Sequence, residues 1–146
     1  MFNLSLFSER LNELFFDYHT NVIDVEKLTG IPKSTLYRYL KSETIPSVEM
    51  LIKIADHFKC SIDYLIGIDI DNYNSNNTIC PPFSERFRFL LNKFEVSKYK
   101  LNKELGLPDT SLYNWQNGKR EPSIESIMKL AEYFNCSVDY IVGREN

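Results

Sequence analysis

The stretch Leu101–Pro122 reads LNKELGLPDTSLYNWQNGKREP and contains two helical patterns separated by a turn. Leu101 and Leu105 lie about one helical turn apart, which predicts the apolar face of a short helix. Gly106 follows them and is the residue type that a tight turn with positive φ requires. Pro108 then fixes a backbone angle that favours the first turn of a second helix.

The second helix of this stretch has its own apolar face and a clear end. Leu112 and Trp115, three residues apart, predict the buried side. Asn117 and Gly118 predict the end of the helix, and a basic loop that begins at Lys119 follows. A helix, a short turn containing Gly and a second helix form the plan of a DNA-reading helix-turn-helix. The stretch therefore predicts contact with duplex DNA.

Length and composition are those of an ordinary globular protein, with 43% hydrophobic and 25% charged residues. No apolar run approaches the length of a membrane span, and the N-terminal sequence MFNLSLFSER lacks the basic region of a signal peptide. Three cysteines without CxxC spacing argue against a disulfide framework and against a zinc site. We therefore expect a cytoplasmic protein without membrane association, metal or cofactor.

Charge is unevenly distributed along the chain. The formal net charge is −3, which is unfavourable for contacts with phosphates. Residues 1–67 contain seven Lys and Arg against nine Asp and Glu, and residues 68–82 add two Asp. Residues 83–146 contain ten basic against nine acidic residues. This last part is therefore the better candidate for contacting nucleic acid.

The sequence contains one fold twice. Phe7–Gly67, the first copy, aligns without a gap with Phe83–Gly143, the second copy, and 21 of 61 positions are identical. Between them, residues 68–82 are rich in Asn, Asp and Ser, and end in two prolines that cannot continue a helix. We predict a first domain at residues 1–67, a linker at 68–82 and a second domain at 83–146.

Each copy is expected to form five helices. Asn21 and Ser97 are suited to capping the second helix, which should end at Gly30 or Gly106. A serine in each copy opens the fourth helix and another opens the short fifth helix. The residues that should face the core from the fourth helix are Val48, Leu51, Ile52, Ala55 and Phe58, and Ile124, Ile127, Met128, Ala131 and Phe134. Five aromatic residues should also lie in the core: Phe58, Tyr64, Trp115, Phe134 and Tyr140.

These features resemble the XRE-type helix-turn-helix family, the class of phage repressor and Cro proteins. The resemblance rests on the five short helices, the LxxxLGLPxxSLYxWQNGKREP run and the closing CSVDYIVG, and it covers roughly 122 of 146 residues. The second copy is the closer match, because the first copy reads KSETI, residues 41–45, where the second has the Asn-Gly-Lys-Arg loop. The resemblance implies an all-α fold of two tandem five-helix, lambda-repressor-like DNA-binding domains joined by a polar linker.

The resemblance also implies which residues contact DNA bases, since the third helix of such a domain enters the major groove. The matching positions are Asp109, Thr110 and Asn114 in the second copy and Lys33, Ser34 and Arg38 in the first. Arg and Asn are suited to bidentate recognition of guanine and adenine. Asp109 could accept a hydrogen bond from cytosine or could cap the helix without touching DNA.

Phosphate contacts follow from the same resemblance. In the second copy they fall to Lys98, Asn117, Lys119 and Arg120, and the first copy has Val22 in place of Lys98. Tyr37 and Tyr113 are placed on the outer side of the third helix. Contact with the DNA backbone and an ordinary surface position are equal alternatives for both tyrosines.

These observations favour a sequence-specific transcriptional regulator of the repressor type whose partner is double-stranded DNA. Two recognition helices about one DNA turn apart, roughly 34 Å, could come from a single chain or from a homodimer. The first copy either reads a second half-site through Lys33, Ser34 and Arg38 or serves as a dimerisation or partner-binding module. The alternative is a protein-interaction module, similar to an antirepressor or an antitoxin, that keeps the fold without reading DNA. No catalytic triad, phosphate-binding glycine loop or carboxylate pair is recognisable. We expect neither an enzyme nor a small-molecule ligand.

Overall fold

The computed structural model of the protein describes residues 1–68 and 78–145. All regular elements in these residues are α-helices, and the chain divides into two compact units, Met1–Ser75 and Asn76–Asn146. The prediction of two tandem all-α domains of five helices is confirmed. Residues 69–77 of the expected linker lie outside the described residues.

The first unit contains helices α1 to α5. Their bounds are α1 Leu4–Asp17, α2 Val22–Thr29, α3 Lys33–Leu40, α4 Val48–Phe58 and α5 Ile62–Leu65. The second unit repeats the order with α6 to α10. Their bounds are α6 Phe83–Lys93, α7 Lys98–Leu105, α8 Asp109–Asn117, α9 Ile124–Phe134 and α10 Val138–Val142.

The predicted caps determine where the helices begin and end. The side chain of Asn21 accepts a hydrogen bond from the Asp24 N–H at the start of α2, and Ser97 does the same for α7. Gly30 and Gly106 follow these helices with left-handed φ angles of 78° and 69°. The turn inside each helix-turn-helix is therefore fixed by the two residue types that the sequence supplies for it.

The core of each unit is built from the inner faces of its helices. The residues without any exposed surface include Phe7, Leu11, Leu36, Leu51 and Ile54 in the first unit and Phe87, Leu90, Leu112, Ile127 and Leu130 in the second. The prediction for the fourth helix was wrong near its centre, where the buried residue lies two positions after the predicted one. Ile54 and Leu130 face the core, whereas the predicted Val48, Ile52 and Met128 are half-buried. The 3.6-residue period places the centre of the stripe nearer to residues 51, 54, 55 and 58.

An arginine in the first helix of each unit binds the short fifth helix. Nη1 of Arg10 donates to the Tyr64 carbonyl at 2.9 Å, and its guanidinium lies 4.4 Å from the centroid of the Tyr64 ring. Nε of Arg86 donates to the Tyr140 carbonyl at 3.0 Å, and the distance to the ring is 4.7 Å. Both tyrosines are half-buried under these guanidinium groups, while the other aromatic residues predicted for the core are buried.

The end of the expected linker contacts the second unit. The backbone N–H of Thr78 donates to the Arg144 carbonyl at 2.9 Å, and its hydroxyl donates to the Gly143 carbonyl at 2.7 Å. Pro81 lies against Gly143 so closely that a Cβ atom there would be 2.7 Å from its Cδ. Residues 78–82 therefore pack on the domain that follows them.

Candidate nucleic-acid interface

Helix α8 is anchored by its apolar face and presents a polar one. Leu112 and Trp115 are buried, and the Trp115 ring lies edge-on to the Phe87 ring at a centroid distance of 5.7 Å. Thr110 and Tyr113 are exposed, and Asn114 is half-buried. These three residues share a face because they lie three and four positions apart. The polar side of α8 is thus a continuous surface on a rigidly held helix.

Two lysines from different elements flank this face at Tyr113, which is 56% exposed. Nζ of Lys98, the first residue of α7, lies 5.8 Å from the centroid of the Tyr113 ring. Nζ of Lys119, in the loop after α8, lies 5.7 Å from the same centroid. Both distances lie just inside the roughly 6 Å limit of a cation–π interaction, so the two charges lie beside the ring at the surface of α8.

The basic loop is hydrogen-bonded to the end of α8, mainly through the Asn114 carbonyl. Gly118 has a left-handed φ of 78°, and its N–H donates to the Asn114 carbonyl. The N–H groups of Lys119 and Arg120 are directed at the same carbonyl, at 3.0 and 3.4 Å. The side chain of Asn117 accepts a further hydrogen bond from the Lys119 N–H at 3.1 Å. The positions of both basic residues therefore depend on the end of α8.

A polar cavity of about 400 Å³ lies between α8 and the start of α9. Thr110 and Asn114 line it from α8, and Ser123 and Ser126 line it from the start of α9. The loop between the helices contributes one positive and one negative side chain, Arg120 and Glu121. Ser123 caps α9 by accepting a hydrogen bond from the Ser126 N–H. The sequence gives no signal that the two serines line this cavity, since Ser123 is predicted only as a cap.

The corresponding surface of the first unit is built on α3. Leu36 and Tyr39 are buried, and four residues predicted to contact DNA lie exposed on the other side: Lys33, Ser34, Tyr37 and Arg38. Burial raises the pKa of Tyr39, and the adjacent Arg38 charge lowers it in part. The N–H of Lys33 donates to Oε2 of Glu26 at 2.7 Å, which ties the start of α3 to α2.

The loop after α3 has the same left-handed backbone turn as the loop after α8 but lacks its two basic residues. Ser42 has a left-handed φ of 59° at the position equivalent to Gly118. Glu43 and Thr44 then occupy the positions of Lys119 and Arg120. Val22, at the position of Lys98, is buried. The structure therefore brings the predicted phosphate-binding lysines together in the second unit, and the first unit has no counterpart to them.

Asp109 occupies the first position of α8, where it is exposed and where a negative charge is favourable for the helix. This placement is compatible with either of the roles considered for it. Among the described residues, no three His, Cys, Asp or Glu side chains are grouped as a metal site. Within the same residues, none of the helices has both the length and the apolar character needed to cross a membrane.

The helix-turn-helix family model matches the chain twice, over residues 20–65 and 88–141. These two segments include α2 and α3 in the first unit and α7 and α8 in the second, and together they cover more than half of the sequence. No curated protein and no solved structure matches the chain significantly. The chain belongs to the helix-turn-helix family of DNA-binding regulators and carries the family's fold in two tandem copies.

Proposed function

We propose that the protein is a sequence-specific, double-stranded DNA-binding transcriptional regulator of the repressor type. In this proposal α8 enters the major groove, and Thr110 and Asn114 contact base edges. Asp109, at the start of the same helix, either accepts a hydrogen bond from cytosine or serves only as a cap. Lys98, Asn117, Lys119 and Arg120 contact phosphates and fix the orientation of α8 on the duplex.

The arrangement of Lys98, Tyr113 and Lys119 is the observation that carries this proposal. The two lysines belong to different elements, yet both lie within 6 Å of the ring that projects from the polar face of α8. A recognition helix in the major groove has a phosphate backbone on each side, so cations are useful at the margins of its exposed face. Tyr113 orders these cations and has a hydroxyl group of its own for a phosphate oxygen.

The first unit reads DNA through α3 in the same proposal. Lys33, Ser34 and Arg38 contact bases, and Tyr37 contacts the backbone, as Tyr113 does in the second unit. Tyr37 is 49% exposed, so its hydroxyl is accessible to a phosphate. The lack of cations at Val22 and in the loop after α3 makes this unit the weaker binder of phosphates.

A second function is favoured by the exposed apolar residues of the first unit. Phe16, Ile23, Leu28 and Ile45 are exposed by 79%, 64%, 70% and 54%. The equivalent positions in the second unit hold Asn92, Tyr99, Glu104 and Glu121. Exposed apolar side chains mark a surface that contacts proteins where they form a contiguous patch. An antirepressor-like or antitoxin-like interaction module is therefore the alternative.

A binding titration separates the two functions. The full chain is titrated into a labelled random duplex at low salt, followed by selection from a random-site library. A regulator shifts the duplex at micromolar protein concentration and enriches a defined sequence. Absence of binding by the intact, folded chain contradicts the DNA-reading function and favours the interaction module.

A further inference from the structure

We infer that the two units recognise different half-sites, so that the DNA site of this protein is not a palindrome. One half contains guanine and is read by α3, and the other contains adenine and is read by α8. The inference rests on the proposed function, and it adds the class of DNA sequence that the chain selects.

The two units place their positive charges in opposite ways. Helix α3 itself carries Lys33 and Arg38, both exposed, and Lys41 follows directly after it. Helix α8 contains no Lys or Arg and begins with Asp109. The cations beside Tyr113 belong instead to α7, which contributes Lys98, and to the loop, which contributes Lys119. On DNA, the cations of α3 would therefore face the base edges in the major groove. The cations beside α8 would face the phosphates of the DNA backbone.

This difference determines which base each helix prefers. Lysine and arginine side chains have only donors, and guanine offers two acceptors, N7 and O6, in the major groove. Asparagine has one donor group and one acceptor, which match N7 and the amino group of adenine. Arg38 therefore favours guanine and Asn114 favours adenine. A carboxylate at Asp109 disfavours the acceptor edge of guanine still further.

Arg38 and Asn114 are equivalent positions, so the comparison is between side chains on matched backbones. They are 76 residues apart, the constant offset of the repeat. Each follows a buried leucine by two residues and precedes a buried aromatic residue: Leu36 and Tyr39 in α3, Leu112 and Trp115 in α8. Both helices thus pack on the core through buried residues at equivalent positions. The difference in base preference therefore comes from the residues on their outer faces.

Random-site selection with the full chain tests the inference directly. We expect the enriched sequence to contain two dissimilar halves, one with a guanine contact and one with an adenine contact. Arg38→Asn introduces the asparagine of the second unit at the equivalent position of the first. It should change the guanine half towards adenine and weaken binding to the wild-type site by about 5- to 150-fold, which corresponds to the roughly 1–3 kcal/mol of a bidentate base contact.

Two further variants complete the experiment. Asn114→Ala should relax only the adenine half. Lys53→Ala, which removes a cation of α4 that is ion-paired with Glu49, should leave the selected sequence unchanged. Circular dichroism checks that all variants are folded. A palindrome, a repeat of one half, or enrichment of a single half by the wild-type chain overturns the inference while leaving DNA binding intact. Failure to enrich any sequence overturns both the inference and the proposed function.

Discussion

Asn114 has two roles: its backbone is structural, and its side chain is proposed to recognise a base. Its backbone carbonyl receives the N–H groups of the basic loop, and its side chain belongs to the polar face of α8. Replacing the side chain therefore leaves the loop hydrogen bonds in place. We expect Asn114→Ala to lose roughly 1–3 kcal/mol of binding free energy on the preferred site and almost nothing on random DNA. Fluorescence anisotropy with both duplexes measures the difference, and an equal loss on both would exclude base reading by this residue.

Lys119 and Arg120 should act on affinity without acting on sequence preference. Each phosphate contact releases condensed counterions, so the slope of log K against log salt changes by about 0.9 for each contact that is lost. The double variant Lys119→Ala with Arg120→Ala is expected to flatten the slope by up to about two and to weaken binding to all duplexes. The control is Lys129→Ala, an exposed cation in α9. An unchanged slope in the double variant would show that the loop does not contact phosphates.

Gly118 and Ser42 adopt the same left-handed conformation with different residues. A side chain strains this backbone region, and glycine does not. The Cβ of a residue at position 118 would meet only ordinary contacts, at 3.6 Å from Oγ of Ser84, so the cost comes from φ. We expect Gly118→Ser to destabilise the second unit by about 1 kcal/mol. Trp115, the single tryptophan of the sequence, reports on that unit in urea unfolding. Ser42→Gly serves as the control, and it should leave the Trp115 transition unchanged.

At the scale of helices, local signals were sufficient to predict most of the fold. Capping residues and terminal glycines lie within a few residues of the helix ends that they fix, as in α2 and α7. Because the chain contains the fold twice, each helix could be predicted from two different sequences. The central residue of the buried stripe in α4 and α9 was predicted less well, because an isoleucine or methionine at the margin of a stripe looks the same in sequence as one at its centre. Packing against the other helices determines which of these residues is buried.

The contacts of Arg10 and Arg86 could not be predicted from the sequence, because their partners lie 54 residues away. The same limit applies to the site. The residue types of α8 were predictable from the resemblance, whereas the approach of Lys98 and Lys119 to one tyrosine ring depends on how α7, α8 and the loop pack. The left-handed turn at Ser42 was also missed, since a serine gives no signal for positive φ.

Arg86 should be important for holding α10 on α6. Its side chain is buried, and Nε donates to the Tyr140 carbonyl. Arg86→Met keeps an apolar chain of similar length but leaves that carbonyl without this donor. The Gly143 N–H still donates to this carbonyl at 3.2 Å. We therefore expect the second unit to lose about 1.5–3 kcal/mol of stability, the contribution of a hydrogen bond from a charged donor. Urea unfolding followed by Trp115 fluorescence measures the loss. Arg88→Ala, on the exposed side of the same helix, should have little effect, and equal losses for the two variants would contradict the assigned role.

At the scale of the whole molecule, the connection between the units limits how two half-sites are reached. The Ile68 N–H donates to the Asp63 carbonyl within the first unit, and the Thr78 N–H donates to the Arg144 carbonyl within the second. Covalent geometry allows about 35 Å for ten residues, which is close to one turn of DNA and less than the complete 68–82 segment would allow. In the proposed function, a connection of this length keeps the second unit near the DNA once the first has bound, which raises its effective concentration.

The strength of this coupling can be measured by removing one unit. A fragment of residues 76–146 retains α6 to α10, their core and the Lys98–Tyr113–Lys119 arrangement, so we expect it to fold and to bind random DNA. On the selected site, the full chain should bind about 10²- to 10⁴-fold more tightly than the fragment, the gain that tethering gives two binding modules. Scrambling the guanine half of the site should abolish this gain, because only α3 is expected to read it. Circular dichroism and Trp115 fluorescence establish that the fragment is folded. Equal affinities of the full chain and the folded fragment would mean that the first unit contributes nothing on DNA, and its exposed apolar residues would then identify it as the protein-binding part of the chain.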